Sequence, residues 1–590
     1  MLEVLGRKRY VGGFGVCMFE PKWIYGFWAI GLRYRRTSMS IASKHRVFTV
    51  LLIFCAATFG LFTTAMSAGL AEHQVLNIGT KWGNDLSTRD PLFLANGSDF
   101  VHARLVYNGL VKSRIPGMAL DMRDMEGVLA ESWEVSDDLK TWTFYLRKGV
   151  EFHQAFGEFT AEDVKFTMDR YLDQKLGSPY GGVYQQYVDE VVVVDSYTVV
   201  FKLISPYADF LALVSLGDFS NGYIVSKKAA EYYGNADGVL KHSIGTGPFM
   251  ESSHQAKEKV TYVRNPSYFK GIPILEEVVM HFMPDTASRT IALKTGAIDM
   301  TVGPMDPSWC EQRIKEGFIV DLVYVECNLH MNMTYKPLND LTIRQAIAYG
   351  INRDEIQAYY KSGDFEMARP IYSLIPTYVG YNSLGADVPA NLRYSYNPQR
   401  AKELLEKAGY PNGFEINAVI TPVDEYRVPL EIIKAQLEKI GIDVNMIQID
   451  HTSFHARIRK DESSLVPYSG GRAPLAEIFL RDFFYSDSIV GTPTAVANFS
   501  HYGAVDANGD GSIDSIDDLG HQALTEGNLQ ERKRLYDELQ IQLLEDLPAY
   551  PVVSVGSPQV RAPYVVNAWP SINDPVGHYL IDETTRILKH

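Results

Sequence analysis

Apolar and polar positions alternate along this chain with two different periods, and each switch of period predicts an element. In "TWTFYLR", Trp142, Phe144 and Leu146 fall on one side and Thr141, Thr143, Tyr145 and Arg147 on the other, the period of a strand with one buried face. Trp133 and Leu139 flank the polar turn Ser136, Asp137 and Asp138, so "VLAESWEVSDDLKTWTFYLRKG" predicts a hairpin-like strand pair ended by Lys148 and Gly149. "FTAEDVKFTMDRYL" then takes up a helical period. Thr160 is placed to cap its amino end, and Glu162 and Asp163 sit in the first turn, where carboxylates favour the exposed N–H groups. "VVVVDSYTVVFKL" returns to strand, turn and strand.

The second half alternates helix and strand. Asn397 stands at a cap position and Pro398 at the first helical position. Ala401, Leu404, Leu405 and Ala408 form one stripe, and Gly409 stops it. Leu430, Ile433, Leu437 and Ile440 repeat the stripe up to Gly441, before "IDVNMIQI" reads as a strand. Helix leading into strand twice argues for an α/β domain. The last long helix carries Leu535, Leu539, Leu543 and Leu547 four apart and ends at Pro548; too few heptads are present for a coiled-coil seam, so the stripe is core.

The amino end follows neither period. "VFTVLLIFCAATFGLFTT", Val47 to Thr64, is uncharged, preceded by Lys44, His45 and Arg46 and followed by small residues up to Ala71. It reads as a secretory leader cut after Ala71, with a retained membrane anchor as the alternative. Residues 1–71 are therefore set apart as an upstream extension and leader, and Met39 is the start from which the leader has ordinary length. Export places the rest in the periplasm or another extracytoplasmic space. The 590 residues suit about three or four folding units. Beyond Ala71 they carry 47 basic and 69 acidic residues, net −22, with no basic cluster, which argues against nucleic acid as a partner. Cys310 and Cys327 remain there and are open to one disulfide in an oxidising compartment.

No spacing calls for catalysis. There is no His-Glu-x-x-His, no Gly-x-Ser-x-Gly and no phosphate loop ending in Gly-Lys-Ser/Thr; "GTGPF" lacks dinucleotide-loop spacing, and His451 and His455 have no third ligand nearby in sequence. An exported hydrolase would need a nucleophile or carboxylate pair that no local pattern supplies. The acidic loop "DANGDGSIDSID", residues 506–517, sets Asp506, Asn508, Asp510, Asp514 and Asp517 at calcium-loop positions with Gly511 at the sharp turn. Structural calcium is one reading and a polar surface insertion the other; no further cofactor is required. The 35 tyrosines, with Trp82, Trp133, Trp142, Trp309 and Trp569, suit a cleft for peptides or sugars, while Trp133 and Trp142 on the hairpin read as core.

The hairpin and "FTAEDVKFTMDR", with "VVDSYTVVFKLISP", "GTGPF", "VTYVRNPSYFKG", "MNMTYKPLNDLTIRQAIAYGINRDEI", "YNPQRAKELLEKAGYPNGFEI", "LEKIGIDVNMIQI" and "RKRLYDELQIQLLEDLPAYPV", resemble in order the extracytoplasmic solute-binding proteins of family 5, which feed ABC importers of peptides, nickel and related solutes. The resemblance implies an α/β two-lobed periplasmic binding protein fold, type II, of the large peptide-binder subclass with an extra inserted domain. Lobe 1 is then discontinuous, 72–115, 240–339 and 551–590. The inserted small domain spans 116–239, and lobe 2 spans 340–550 with the acidic loop.

The resemblance further implies a monomer that closes around one ligand and delivers it to an ABC permease and its ATPase subunits without turnover. A sensor that docks to a membrane receptor is a rival use of the same shell. Peptide binders of the family carry Gly-Trp-x-x-Asp-Tyr-x-x-Pro in lobe 2, the Asp holding the peptide ammonium. Here "YSGGRAPLAEIF" keeps Gly470 but has Gly471 in place of the Trp and Pro474 in place of the Asp. Tyr468, Arg472 and Glu477 are the ligand candidates in this stretch, Arg472 for a carboxylate and Glu477 as a replacement for the Asp. Arg369, Trp82 and Trp309 complete the set. Oligopeptides or dipeptides are the expected ligands, with an oligosaccharide, a nickel chelate or an opine as the alternative.

Overall fold

The computed structural model describes residues 10–11, 69–113, 125–215, 222–234, 236–376, 383–469, 476–491, 497–570 and 579–590. The apolar run of the expected leader, residues 47–64, lies outside them. No helix among the described residues is long and apolar enough to cross a membrane.

The chain enters a mixed sheet at β1 (Val75–Thr80) and leaves it for the inserted domain, where β2 (Ala130–Val135), β3 (Thr141–Leu146), β4 (Val188–Asp195) and β5 (Thr198–Leu203) pair antiparallel in the order β2-β3-β5-β4, with Tyr10–Val11 beside β2. Val135 faces Trp142 across the expected hairpin. Helix α1 (Ala161–Leu172) begins with a reciprocal capping box of Thr160 and Asp163. Trp142 and Phe144 are fully buried and Trp133 nearly so, because their period-two positions all face α1 and its neighbours. The domain is fixed to the first lobe by a buried ion pair between Arg170 on α1 and Asp90, and by His153, whose ring nitrogen meets the Gly247 carbonyl at 3.0 Å.

Back in the mixed sheet, β6 (Phe249–Gln255), β7 (Lys259–Arg264), β8 (Glu277–Phe282) and β9 (Met300–Val302) follow, with α2 (Thr286–Thr295) between the last two and α3 (Pro307–Lys315) after them. β8 and β9 both run parallel to β1. The long strand β10 (Ile319–Met331) then carries the chain into the second lobe through α4 (Leu341–Gly350), α5 (Arg353–Tyr359) and β11 (Ala368–Pro370). That lobe continues with α6 (Pro398–Lys407), the parallel pair β12 (Phe414–Ile420) and β13 (Ile442–Gln448) joined by α7 (Asp424–Glu438), α8 (His451–Ile458), β14 (Leu465–Ser469), α9 (Ala476–Phe484), α10 (Asp517–Thr525) and α11 (Leu529–Asp546). Asn397 and Pro398 start α6, and Gly409 and Gly441 take positive φ just past the helices they end, as their lack of a Cβ permits.

Strand β15 (Ala549–Arg561) returns antiparallel to β10 along almost its whole length, so both lobes share one ribbon in the order β14-β10-β15-β9-β1-β8-β7-β6. β14 flanks the ribbon at Cys327–Met331, β11 at Val553–Val555 and β9 at Gln559–Arg561. Between these, Leu322–Tyr324 opposite Gly556–Pro558 has no third strand among the described residues. Pro558 offers no N–H, and a Cβ at Gly556 would meet Leu322 at 2.9 Å. The waist between the lobes is thus the thinnest part of the sheet.

Cys310 and Cys327 are both buried and both free thiols. That answers the question the sequence leaves open: the two side chains belong to one apolar cluster with α4, α6 and α7, and burial pushes the Cys310 thiol up to about 12, so it stays protonated.

Candidate functional site: a charged cleft between the lobes

In open α/β sheets, ligands bind beyond the carboxyl ends of parallel strands, where helices begin and side chains need not be buried in the sheet. Both lobes bring such ends to the cleft. In lobe 1, Lys81 and Trp82 follow β1. The Trp82 N–H donates to Thr80 Oγ1 at 3.2 Å and its carbonyl accepts from the Ser98 hydroxyl, which fixes the turn. The half-buried Lys81 ammonium lies 4.3 Å from the centre of the Trp82 ring and forms no ion pair among the described residues.

Across the cleft, Asp424, Glu425 and Tyr426 follow β12 and open α7, and His451 follows β13. Desolvation lowers the Lys81 ammonium from its ordinary value, the Glu425 carboxylate opposes that shift, Arg289 adds to it and Asp424 opposes it. These neighbours place the lobe 1 cation within electrostatic reach of two lobe 2 carboxylates. Glu425 also acts on His451 and on Tyr360, a tyrosine just after α5 whose fully buried hydroxyl has no hydrogen-bond partner. Rings line the lobe 2 side: Tyr426 lies 5.7 Å from His451 and 5.9 Å from Tyr468, and the rings of His451 and His455 are 4.6 Å apart.

Of the residues expected from sequence, Trp82 follows β1 beside Lys81 and Tyr468 lies near the end of β14. Tyr468 is nearly buried at the end of β14, its ring against Tyr426, Phe483 and Phe499. Arg369 sits on β11 at the waist, exposed, with its guanidinium 4.3 Å above the Tyr324 ring. Arg472 lies outside the described residues, as do Gly470, Gly471 and Pro474. Trp309 is a brace. Its Nε1 donates to Thr290 at 3.0 Å, and its ring fills the space over Gly303, where a Cβ would be 2.4 Å away.

Glu477 sits on α9 and is 1% exposed. Its carboxylate accepts from the Tyr187 hydroxyl at 2.7 Å and the Tyr207 hydroxyl at 3.4 Å, both in the inserted domain, and burial pushes it up while Arg481 opposes. The structure therefore gives Glu477 a place in the contact between domains in place of the open cleft wall proposed from sequence. Lys81, Glu425 and Tyr360 were not anticipated, and the only signal for the first two is their position just after a strand.

In the acidic loop, Asp506 accepts from the backbone N–H groups of Gly509, Asp510 and Gly511, Asp510 from Ser512, and Asp514 from Ala507 and Asn508. Asn508 donates its amide to Asp514 at 2.8 Å. Asp517 is turned away to accept from the backbone N–H of Ser486 at 3.2 Å. Among the described residues no group of three or more His, Cys, Asp or Glu side chains is placed to hold a metal ion.

Comparison with known proteins agrees with this two-lobed frame. Residues 124–490 match the model of the bacterial extracellular solute-binding proteins, family 5 Middle. The heme-binding protein A of Haemophilus influenzae is 29% identical over 517 residues, covering 80% of this chain and 86% of the relative. The dipeptide-binding protein of Escherichia coli is 28% identical over 521 residues, covering 83% and 91%. Among solved structures, MoaA of A.tumefacien R10 in complex with mannopinic acid superposes with a TM-score of 0.72 at 30% identity, covering 88% of this chain and 100% of that one. The type II periplasmic-binding-protein fold is common to these structures. Such proteins bind and deliver, and the role they indicate is transport, with a small-molecule or peptide ligand and an ABC permease with its ATPase as partners. The chain belongs to the bacterial extracellular solute-binding proteins of family 5.

Proposed function

We propose that this chain captures a small solute carrying both a carboxylate and an ammonium, di- or oligopeptides in the first place, and presents it to an ABC permease once the lobes have closed. The observation that carries this reading is that the Lys81 ammonium of lobe 1, 4.3 Å from the centre of the Trp82 ring, lies within electrostatic reach of Glu425 and Asp424 at the start of α7 in lobe 2. A zwitterion satisfies both signs at once, and contacts from both lobes stabilise the closed state over the open one, a difference a permease can read. A dipeptide-binding relative supports the peptide reading. The mannopinic acid complex, together with Gly471 and Pro474 in place of the peptide binders' Trp and Asp, favours an opine as the second reading.

Export with a cut after Ala71 completes the proposal. Native mass spectrometry of the freshly purified protein tests all of it. The expected result is an amino terminus at Glu72 and bound peptides of mixed sequence. A single retained opine would replace the peptide reading, and a sugar or a metal chelate would overturn both.

A further inference from the structure

The chain enters the inserted domain from lobe 1 and returns to lobe 1, so that domain is joined covalently to lobe 1 only. Its apolar cluster takes in Leu92, Leu110 and Ile244 of lobe 1 and, among the described residues, a single side chain of lobe 2, Leu524 of α10. Lobe 2 is joined covalently to the rest through β10 and β15. A rotation about the thin waist of that ribbon therefore moves lobe 2 against lobe 1 and the inserted domain together. The contact between the inserted domain and α9, α10 and α11 is one that such a rotation must break.

That contact is built mostly from polar groups. Glu477 of α9 accepts from the hydroxyls of Tyr187 and Tyr207, whose rings are 4.3 Å apart. Arg481 of the same helix donates to Gln186 at 2.6 Å and to the Tyr187 hydroxyl at 3.1 Å. Arg532 of α11 pairs with Asp209 at 3.0 Å, and the Ala208 N–H donates to the Leu524 carbonyl at 3.1 Å. Tyr187, Tyr207, Asp209, Glu477, Arg481 and Arg532 are all buried. Ions taken out of water lose most of what their pairing returns, and they regain hydration when the two surfaces part. Such an interface is held in one register by its hydrogen bonds, yet it separates at lower cost than an apolar core.

We propose that this contact is a closure clasp: it forms when lobe 2 swings onto the inserted domain, parts when the lobes open, and sets how long the closed form lasts. Each bond in it raises the closed fraction without adding a ligand contact, so affinity follows the clasp as well as the cleft. The clasp stands on these contacts and the waist; its effect on uptake rests on the capture by closure proposed above.

The test is amide hydrogen exchange of the full exported chain freed of retained ligand, read at Ala208, whose N–H spans the interface, and at the amides of β3 and β5 within the inserted domain. In wild type, Ala208 should exchange about 10-fold faster or more than the strand amides, because the clasp opens while both sides stay folded. Tyr187→Phe removes one hydrogen bond to a charged group and should speed exchange at Ala208 by a further factor of about 10 to 100, leaving β3 and β5 unchanged. An Ala208 amide as slow as those of β3 and β5 would make the contact a permanent joint and overturn the clasp.

A second measurement locks it. The backbones of Ala208 and Leu524 are a hydrogen bond apart, within the span a disulfide bridges, and the native thiols Cys310 and Cys327 are buried in another cluster. Ala208→Cys combined with Leu524→Cys, once oxidised, should take up and release alanylalanine about 10-fold more slowly or worse than its reduced form, because the closed fraction approaches one. A cross-linked protein that exchanges the dipeptide at the reduced form's rates overturns the clasp. A wild type that binds no alanylalanine counts against the peptide reading, while exchange at Ala208 still decides the clasp.

Discussion

The Tyr187 hydroxyl donates to the Glu477 carboxylate at 2.7 Å, joining the inserted domain to the second lobe through a contact from which water is excluded. Arg481, one turn along the same helix, donates to Gln186 at 2.6 Å and to the Tyr187 hydroxyl at 3.1 Å. A second buried pair, Arg532 with Asp209 at 3.0 Å, spans the same two parts. The inserted domain is therefore tied to lobe 1 by Arg170 and Asp90 and to lobe 2 by these groups.

The Arg532–Asp209 pair gives the first prediction. Removing one member strands a buried charge, which costs about 3–5 kcal/mol, whereas replacing both members by apolar groups of similar volume is often neutral. Asp209→Ala should lower the urea midpoint sharply, and Asp209→Leu combined with Arg532→Met should recover most of the loss. A double variant as unstable as the single would show that the pair is required for more than mutual neutralisation.

These contacts also mark where sequence reading ends. The strands and helices announced themselves because their buried positions recur at fixed spacing, and the Asn397, Gly409 and Thr160 signals act within a few residues. Closeness to the segment where peptide binders keep their Asp makes Glu477 a ligand candidate in the sequence. Its partners, Tyr187 and Tyr207, stand 290 and 270 residues earlier, and no local pattern reports them. Lys81 and Glu425 are single charges outside any period, made neighbours only by the way two strand ends face each other. The two free cysteines share a cluster for the same nonlocal reason.

Trp82 supplies the second prediction. Trp133 and Trp142 are locked in the inserted domain's core, Trp309 is braced by Thr290 and Trp569 lies on a short strand near the carboxyl end, whereas Trp82 stands beside Lys81 just after β1, where the proposed reading puts a guest. Trp82→Phe should abolish most of the ligand-induced change in tryptophan emission, while Trp309→Phe should leave it in place. Retention of the full signal in Trp82→Phe would remove Trp82 from the cleft contact.

Asp546 supplies a pH prediction. It accepts from the Tyr502 hydroxyl at 2.5 Å, its backbone carbonyl accepts from the buried Arg344 at 2.7 Å, and burial pushes its carboxyl up to about 6. An unfolded aspartate titrates near ~3.9. The folded state thus holds this proton more tightly, so the group's contribution to stability is fully present below ~3.9 and is lost as pH rises through about 6. Asp546→Asn, which keeps an acceptor for Tyr502, should lose that slope and gain stability relative to wild type at pH 7. Urea midpoints of both proteins across this interval check it; parallel curves would show that Asp546 does not titrate there.

The acidic loop carries the last prediction. Asp506, Asn508, Asp510 and Asp514 share one short turn, but their oxygens already accept the loop's own N–H groups or one another's donors, and Asp517 serves Ser486. Calcium would therefore have to compete with bonds that hold the loop, which points to weak binding in the range of about 10⁻⁴–10⁻³ M, where sites of extracellular modules fall. At calcium well above that range, linkage stabilises the folded state by about 2 kcal/mol, visible as a rise of a few degrees in Tm over the chelator-treated protein. Asp506→Ala should remove the rise. An identical Tm with calcium and with chelator would leave the loop as a self-bonded surface turn and retire the calcium reading.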